Sequence, residues 1–279
     1  MNLRNNIDSE GLAWQTGVWD KMSDVYLEEV DQRFVPVIDG VISRAAIRPG
    51  DDVLDLGTGT GSVALRVAPI VGNTGRVVGN DISQDMLRIA ARRADDLQFL
   101  NIEFVEGRAE SIPAEDSSFD VVLASLSLMY VIDRAAVARE IARVLRPGGR
   151  FVAAVWAASD DCDIVLFQQT AGSFAPPPPV SGVGPGAMAD PSDFLGQLSQ
   201  SGIQPQIESE QLGFEFNDFE SAWAVLAGVT TAKLPPDVQE QARNAVRDLM
   251  WNDGDGPRYF RNSTQFIIGE AIVKKGAQK

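Results

Sequence analysis

Between residues 53 and 156 short apolar runs alternate with amphipathic stretches, and this alternation constrains the fold more than any other feature of the chain. "VLDL" (53–56), "RVVGN" (76–80), "IEFVEG" (102–107), "FDVVLAS" (119–125) and "RFVAAVW" (150–156) read as strands. Helical patterns separate them. "SVALRVAPIV" (62–71) follows the first strand, Ser83 is placed to cap "QDMLRIAARRADDLQFL", and Asp133 is placed to cap a helix with Val137, Ile141, Val144 and Leu145 on one face. The turn "RPGG" (146–149) is expected to stop that last helix. Strands alternating with helices predict an α/β, doubly wound, mostly parallel sheet.

Two longer alternating stretches, "IQPQIESEQLGFEF" (203–216) and "STQFIIGEAIVKK" (263–275), predict an antiparallel C-terminal edge and bring the sheet to seven strands. The expected organisation is an N-terminal helical lid over 1–48 and an α/β core over 49–216. A proline-rich loop at 175–191, a mostly helical insertion over 217–262, and a last strand and tail over 263–279 complete it.

Composition narrows the chemistry. The 279 residues carry a formal charge of −15, a field that repels phosphate backbones, so nucleic acid is not expected as a partner. One cysteine, Cys162, excludes an intrachain disulfide and zinc clusters. No apolar run approaches the roughly 18 residues of a membrane helix, and the start has no signal-peptide core, so a cytoplasmic protein without membrane partners is expected. There is no histidine, which rules out Ser-His-Asp and Cys-His mechanisms.

"LDLGTGTGS" places Gly57, Gly59 and Gly61 directly after the first strand and before a helix. A dinucleotide, a phosphate and an S-adenosyl sulfonium all use such turns. The dinucleotide spacing G-x-G-x-x-G is absent, and no lysine follows as a phosphate loop requires. Asp81 ends the second strand, 20 residues after Gly61, where a carboxylate can accept both hydroxyls of an adenosine ribose.

The ordered blocks "VLDLGTGTG", "VVGNDISQDML", "EFVEGRAESIPAEDSSFDVVLAS" and "AREIARVLRPGGRFVAAVW" resemble the class I S-adenosylmethionine-dependent methyltransferases. "VWDKMSDVY" and the proline-rich loop resemble a bacterial small-molecule subgroup. The resemblance implies a Rossmann-like fold and S-adenosylmethionine as cofactor. The turn Gly57, Thr58, Gly59, Gly61 would lie beneath its methionine part, with Asp55 near the amino group. Asp81 would hold the ribose, and Ile82 and Met86 would pack on adenine. Ala109, Glu110 and Ser125 are further cofactor candidates. Arg108 stands where family members often carry an Asp that accepts from the adenine amino group; a guanidinium has no acceptor, so Arg108 is expected to stack on adenine or face solvent.

The residues after the fourth strand, Ser125 to Val131, face the transferred methyl in this fold, which makes Tyr130 the candidate for orienting a substrate oxygen. Trp14, Trp19, Tyr26, Met129, Trp223 and Tyr259 complete an expected apolar pocket for a small organic substrate. No metal site is expected, and a homodimer is left open. The expected reaction is methyl transfer to O or C, less readily N. The alternative is a methyltransferase fold that binds the cofactor and directs a non-methylating step such as a cyclisation. A nicotinamide oxidoreductase and a non-enzymatic interaction module fit the cofactor blocks less well.

Overall fold

The structure, a computed structural model, describes residues 3–231 and 234–273. Helical pieces come first: α1 (Leu3–Val25), a π-helical turn (Tyr26–Val30), α2 (Asp31–Arg33) and α3 (Val35–Ala45). The alternating part follows as β1 (Asp52–Leu56), α4 (Ser62–Val71), β2 (Arg76–Asp81), α5 (Gln84–Asp96), β3 (Ile102–Glu106), β4 (Phe119–Ser125), α6 (Arg134–Val144) and β5 (Leu145–Trp156). The remainder comprises α7 (Asp163–Gly172), α8 (Ser192–Gln200), β6 (Ile203–Phe216), α9 (Phe219–Leu226), α10 (Gly228–Thr231), α11 (Pro236–Met250) and β7 (Arg258–Ala271).

The strands form one sheet in the order β3-β2-β1-β4-β5-β7-β6. The first five positions are parallel, and β7 pairs antiparallel with both β5 and β6. This is the doubly wound, mostly parallel seven-stranded sheet with an antiparallel edge that the sequence predicts. Its strand order reverses at β1, between β2 and β4. In open α/β sheets that reversal leaves a crevice at the carboxyl ends of the strands, where ligands bind.

Local chemistry explains the elements around that crevice. Ser83 caps α5 by accepting from Met86 N–H at 3.2 Å, and Met86, Leu87, Ile89, Ala90 and Ala94 bury one helix face. Asp133 caps α6 by accepting from Ala136 N–H at 2.8 Å, with Val137, Ala138, Ile141 and Val144 turned inward. β1 and β4 contribute Val53, Leu54, Leu56, Val121, Val122 and Leu123 to the core, all essentially without solvent exposure. Each such side chain stabilises the fold by about 1.5–3 kcal/mol relative to exposure.

Of the boundaries that differ from the sequence reading, two bear on the sheet. α6 ends at Val144, but β5 begins at once at Leu145 and carries "RPGG" inside the strand as a bulge: Phe119 pairs with Leu145, and Val121 next pairs with Arg150. β7 begins at Arg258 rather than 263, so the end of the expected helical insertion is strand. Its Phe260 pairs with Phe214 of β6 and is fully buried, which draws the extra residues into the sheet.

Candidate functional site

The turn after β1 is built on glycine. Gly57, Gly59 and Gly61 have φ of 74°, 54° and 85°, a left-handed region that other residues enter at a cost. The need is sharpest at Gly57, where a Cβ would lie 2.4 Å from Ser127 Cβ, on the segment after β4. The N–H groups of Gly57 and Thr58 both donate to Asn80 O, at 2.8 and 3.0 Å, which ties the turn to the end of β2. At Gly59 a Cβ would meet nothing within 4 Å.

Two carboxylates flank the turn. Asp81 Oδ2 accepts from Gly59 N–H at 2.8 Å, and Oδ1 accepts from Ser83 N–H at 3.0 Å. Burial raises its pKa against these stabilising bonds, and Asp20 adds to the rise. Asp55 is buried beneath the turn. Its Oδ2 accepts from Thr58 Oγ1 at 2.6 Å and Ala64 N–H at 3.2 Å, while Oδ1 has no partner among the described residues. Burial pushes Asp55 up to about 7.

A cavity of about 140 Å³ opens over the turn. Of the sequence-predicted residues, Gly57, Thr58, Gly59, Asp81, Ile82, Met86, Ala109, Glu110, Ser125, Trp19, Tyr26 and Tyr130 line it. A smaller chamber of about 30 Å³ adjoins it and includes Met129. Trp19 meets Tyr130 edge-on at 4.8 Å and Tyr26 at 6.1 Å, and all three belong to both spaces.

Other candidates lie elsewhere. Gly61 and Asp55 sit behind the cavity wall rather than on it. A Cβ at Gly61 would come within 3.0 Å of Ala90 Cβ, so this glycine lets α4 and α5 approach. Arg108 does not line the cavity, and its side chain is partly open to solvent. It forms a bridge with Ser111 and its Nε lies 3.5 Å from Glu110 Oε2. Trp14 touches neither space. Trp223 of α9 packs against Phe167 of α7 and Phe219, at 6.0 and 5.9 Å, at the margin of the core. Tyr259 is 56% exposed on β7, opposite Glu215. These last three are therefore not part of the pocket wall expected of them.

Several pairings escaped the sequence reading. Asp31 Oδ2 accepts from Thr60 Oγ1 in the glycine turn at 2.6 Å and from Arg93 Nη1 at 2.9 Å. Arg93 also donates to Thr60 O at 2.7 Å and Ser62 Oγ at 3.0 Å. Asp20 accepts from Ser83 Oγ at 2.6 Å, and Gln15 Nε2 donates to Tyr130 O. The N-terminal helical segment is thus hydrogen-bonded to the turns after β1, β2 and β4. Ser127 Oγ donates to Leu56 O at 2.7 Å, and Gln168 reaches the smaller chamber from α7. No spacing in the chain announces these pairings, because their partners lie far apart in sequence. Among the described residues no cluster of His, Cys, Asp and Glu suits a metal ion, and no helix is long and apolar enough to cross a membrane.

The arrangement fits S-adenosylmethionine. An open glycine cradle, an acceptor carboxylate at the end of β2 and an orphaned buried acceptor on Asp55 suit ribose hydroxyls and an ammonium group. The cavity is lined by Asp31, Asp81 and Glu110 and, among the described residues, by no lysine or arginine, which suits a cation.

Residues 47–172 match a family model described as "Methyltransferase domain". The chain is 38% identical over 112 residues to the ubiquinone/menaquinone biosynthesis C-methyltransferase UbiE of Francisella philomiragia, a match that covers 40% of this chain and 45% of the relative. The chain spans about half the length of the curated relatives it matches. Its fold resembles that of the YcgJ protein of Bacillus subtilis, with TM-score 0.64 and 23% identity over 86% of this chain and 99% of the other. It also resembles the [4+2]-cyclase SpnF, with TM-score 0.59 and 24% identity over 86% of this chain and 82% of the other. Residues 47–172, which carry the glycine turn, Asp81 and the strands that place them, are thus the part of the chain that matches a methyltransferase domain.

Proposed function

We propose that the chain uses S-adenosylmethionine to methylate a small organic acceptor on oxygen or carbon. The observation that carries this reading is the juxtaposition of the glycine turn, Asp81 and an acid-lined cavity at the strand-order reversal. The Francisella relative's name, a C-methyltransferase, supports carbon as one acceptor atom.

In this reading Asp81 holds the ribose hydroxyls, Asp55 attracts the ammonium group from behind the glycine turn, and Ile82 and Met86 pack on adenine. Bound there, S-adenosylmethionine supplies an electrophilic methyl on a cationic sulfur, so the protein needs no nucleophile of its own. The residues around Tyr130 then align the acceptor and exclude water. Positioning of this kind is worth up to roughly 7–11 kcal/mol in favourable intramolecular cases. Burial holds the Tyr130 phenol well above its ordinary range, so it stays protonated and serves as a donor rather than a base.

Calorimetry with S-adenosylhomocysteine and with NAD tests the cofactor; tight NAD binding without S-adenosylhomocysteine binding would sink the reading. Incubation with S-adenosylmethionine and candidate acceptors tests the reaction. Formation of S-adenosylhomocysteine with a methylated product supports it. A rearranged or cyclised product without S-adenosylhomocysteine would establish the non-methylating alternative instead.

A further inference from the structure

The two spaces differ in character. The larger carries three carboxylates, whereas the smaller is lined by no charged residue among those described. Met22, Met129, Trp156, Ile164 and Leu226 make the smaller chamber apolar, and Gln168 is its one amide among the described residues. That amide is turned to Leu226 O, at 3.5 Å.

The spaces meet at Trp19, Tyr26 and Tyr130. Neither tyrosine hydroxyl makes a hydrogen bond among the described residues, although both rings are substantially enclosed. Both side chains line the two spaces, so their hydroxyls stand as two donors that a ligand at the junction can engage. Burial raises both phenols, and at Tyr26 the neighbouring Tyr130 adds to the rise, so both keep their protons.

Positive charge near the junction is already committed. The Arg134 guanidinium donates to Leu128 O, Met129 O and Gly182 O, at 3.3, 3.2 and 2.7 Å. Arg93 is held by Asp31. An anionic acceptor would therefore be desolvated beside carboxylates with no counter-charge from the protein, and the cofactor's sulfonium charge is lost in the transfer itself. An ammonium would enter a chamber without an acid. A neutral molecule meets neither penalty.

Resting on the reading that the larger cavity holds S-adenosylmethionine, we propose that the acceptor is uncharged, with an oxygen held jointly by the Tyr26 and Tyr130 hydroxyls and an apolar group in the smaller chamber. Tyr26 is then a specificity-determining residue supplied by the π-helical turn. The chamber's size, about 30 Å³, sets that apolar group at roughly a methyl or ethyl.

Three probes with the same ring and an adjacent methyl separate the outcomes: ortho-cresol, ortho-toluate and 2-methylbenzylamine. Each is titrated by NMR into the full chain saturated with S-adenosylhomocysteine. We expect ortho-cresol to bind at least about tenfold more tightly than either ion, the ratio of roughly one charge-assisted or buried hydrogen bond. In the isosteric double variant Tyr26→Phe/Tyr130→Phe, ortho-cresol affinity should fall about tenfold while S-adenosylhomocysteine affinity stays within about twofold. Equal or tighter binding of either ion, undetectable ortho-cresol binding, or ortho-cresol binding unchanged in the double variant would overturn the proposal and leave the cofactor reading intact. Failure of the unaltered chain to bind S-adenosylhomocysteine would remove the reading beneath it.

Discussion

Asp20 of α1 accepts a hydrogen bond from Ser83 Oγ at 2.6 Å while that same oxygen accepts from Met86 N–H at 3.2 Å. One serine thus links the N-terminal helix to the helix that starts beside Asp81. Removing the carboxylate in Asp20→Ala leaves the α5 cap in place and frees the N-terminal segment. We expect faster amide exchange over residues 11–25 and S-adenosylhomocysteine dissociation accelerated about five- to tenfold, as for one lost hydrogen bond. Hydrogen exchange by mass spectrometry and stopped-flow release measure the two effects. Unchanged exchange in that segment would mark α1 as a fixed structural helix.

Asp81→Ala should weaken S-adenosylhomocysteine binding by about 1.5–3 kcal/mol, the range for hydrogen bonds to a charged group. The variant also strips partners from Gly59 and Ser83 N–H, so its melting temperature is recorded beside the calorimetric affinity. Unchanged affinity in a folded variant would show that Asp81 serves only to brace the turn.

Gly57→Ala and Gly59→Ala should part company. At Gly57 the new methyl strikes Ser127 and the left-handed backbone costs about 1–2 kcal/mol more, so stability falls sharply. At Gly59 the methyl enters open space, leaving mainly the backbone cost, while ligand approach to the turn is blocked. Denaturant melts and S-adenosylhomocysteine binding should therefore rank the two variants in opposite orders.

Asp55 makes stability depend on pH. Its folded pKa of about 7 lies above the ordinary 3.8, so folding favours the protonated carboxyl. The resulting stabilisation is complete below about pH 4 and is lost as pH rises through 7. Urea midpoints should fall over that window and fall less steeply in Asp55→Asn. Asp81, raised by burial in the same sense, keeps part of the slope. If Asp55 receives the cofactor's ammonium, binding near pH 6 should also release a proton, which calorimetry in buffers of different ionisation enthalpy detects.

The fold was legible where local chemistry and periodicity agree. Ser83 and Asp133 cap the helices expected of them, and the glycine turn stands between β1 and α4. Legibility ended where the answer depends on which partner a residue meets. "RPGG" carries turn chemistry, yet β4 draws it into a strand as a bulge. Trp223 and Tyr259 are aromatic residues in the right part of the chain, but one faces the core and the other faces away from it. Asp31 and Thr60, or Gln168 and the smaller chamber, are joined only by tertiary packing.

The position of β7 governs the order in which the sheet is completed. It is the last strand among the described residues, yet it lies between β5 and β6. During synthesis β5 and β6 are both made before the strand that joins them. Until residues 258–271 are made, β5 keeps an open edge and β6, which pairs with β7 and no other strand among the described residues, has no neighbour to hold it in the sheet. The five parallel strands and the glycine turn can assemble during that wait. Phe260, Phe266 and Ile267 then close the gap and bury the edges that would otherwise recruit a neighbouring chain.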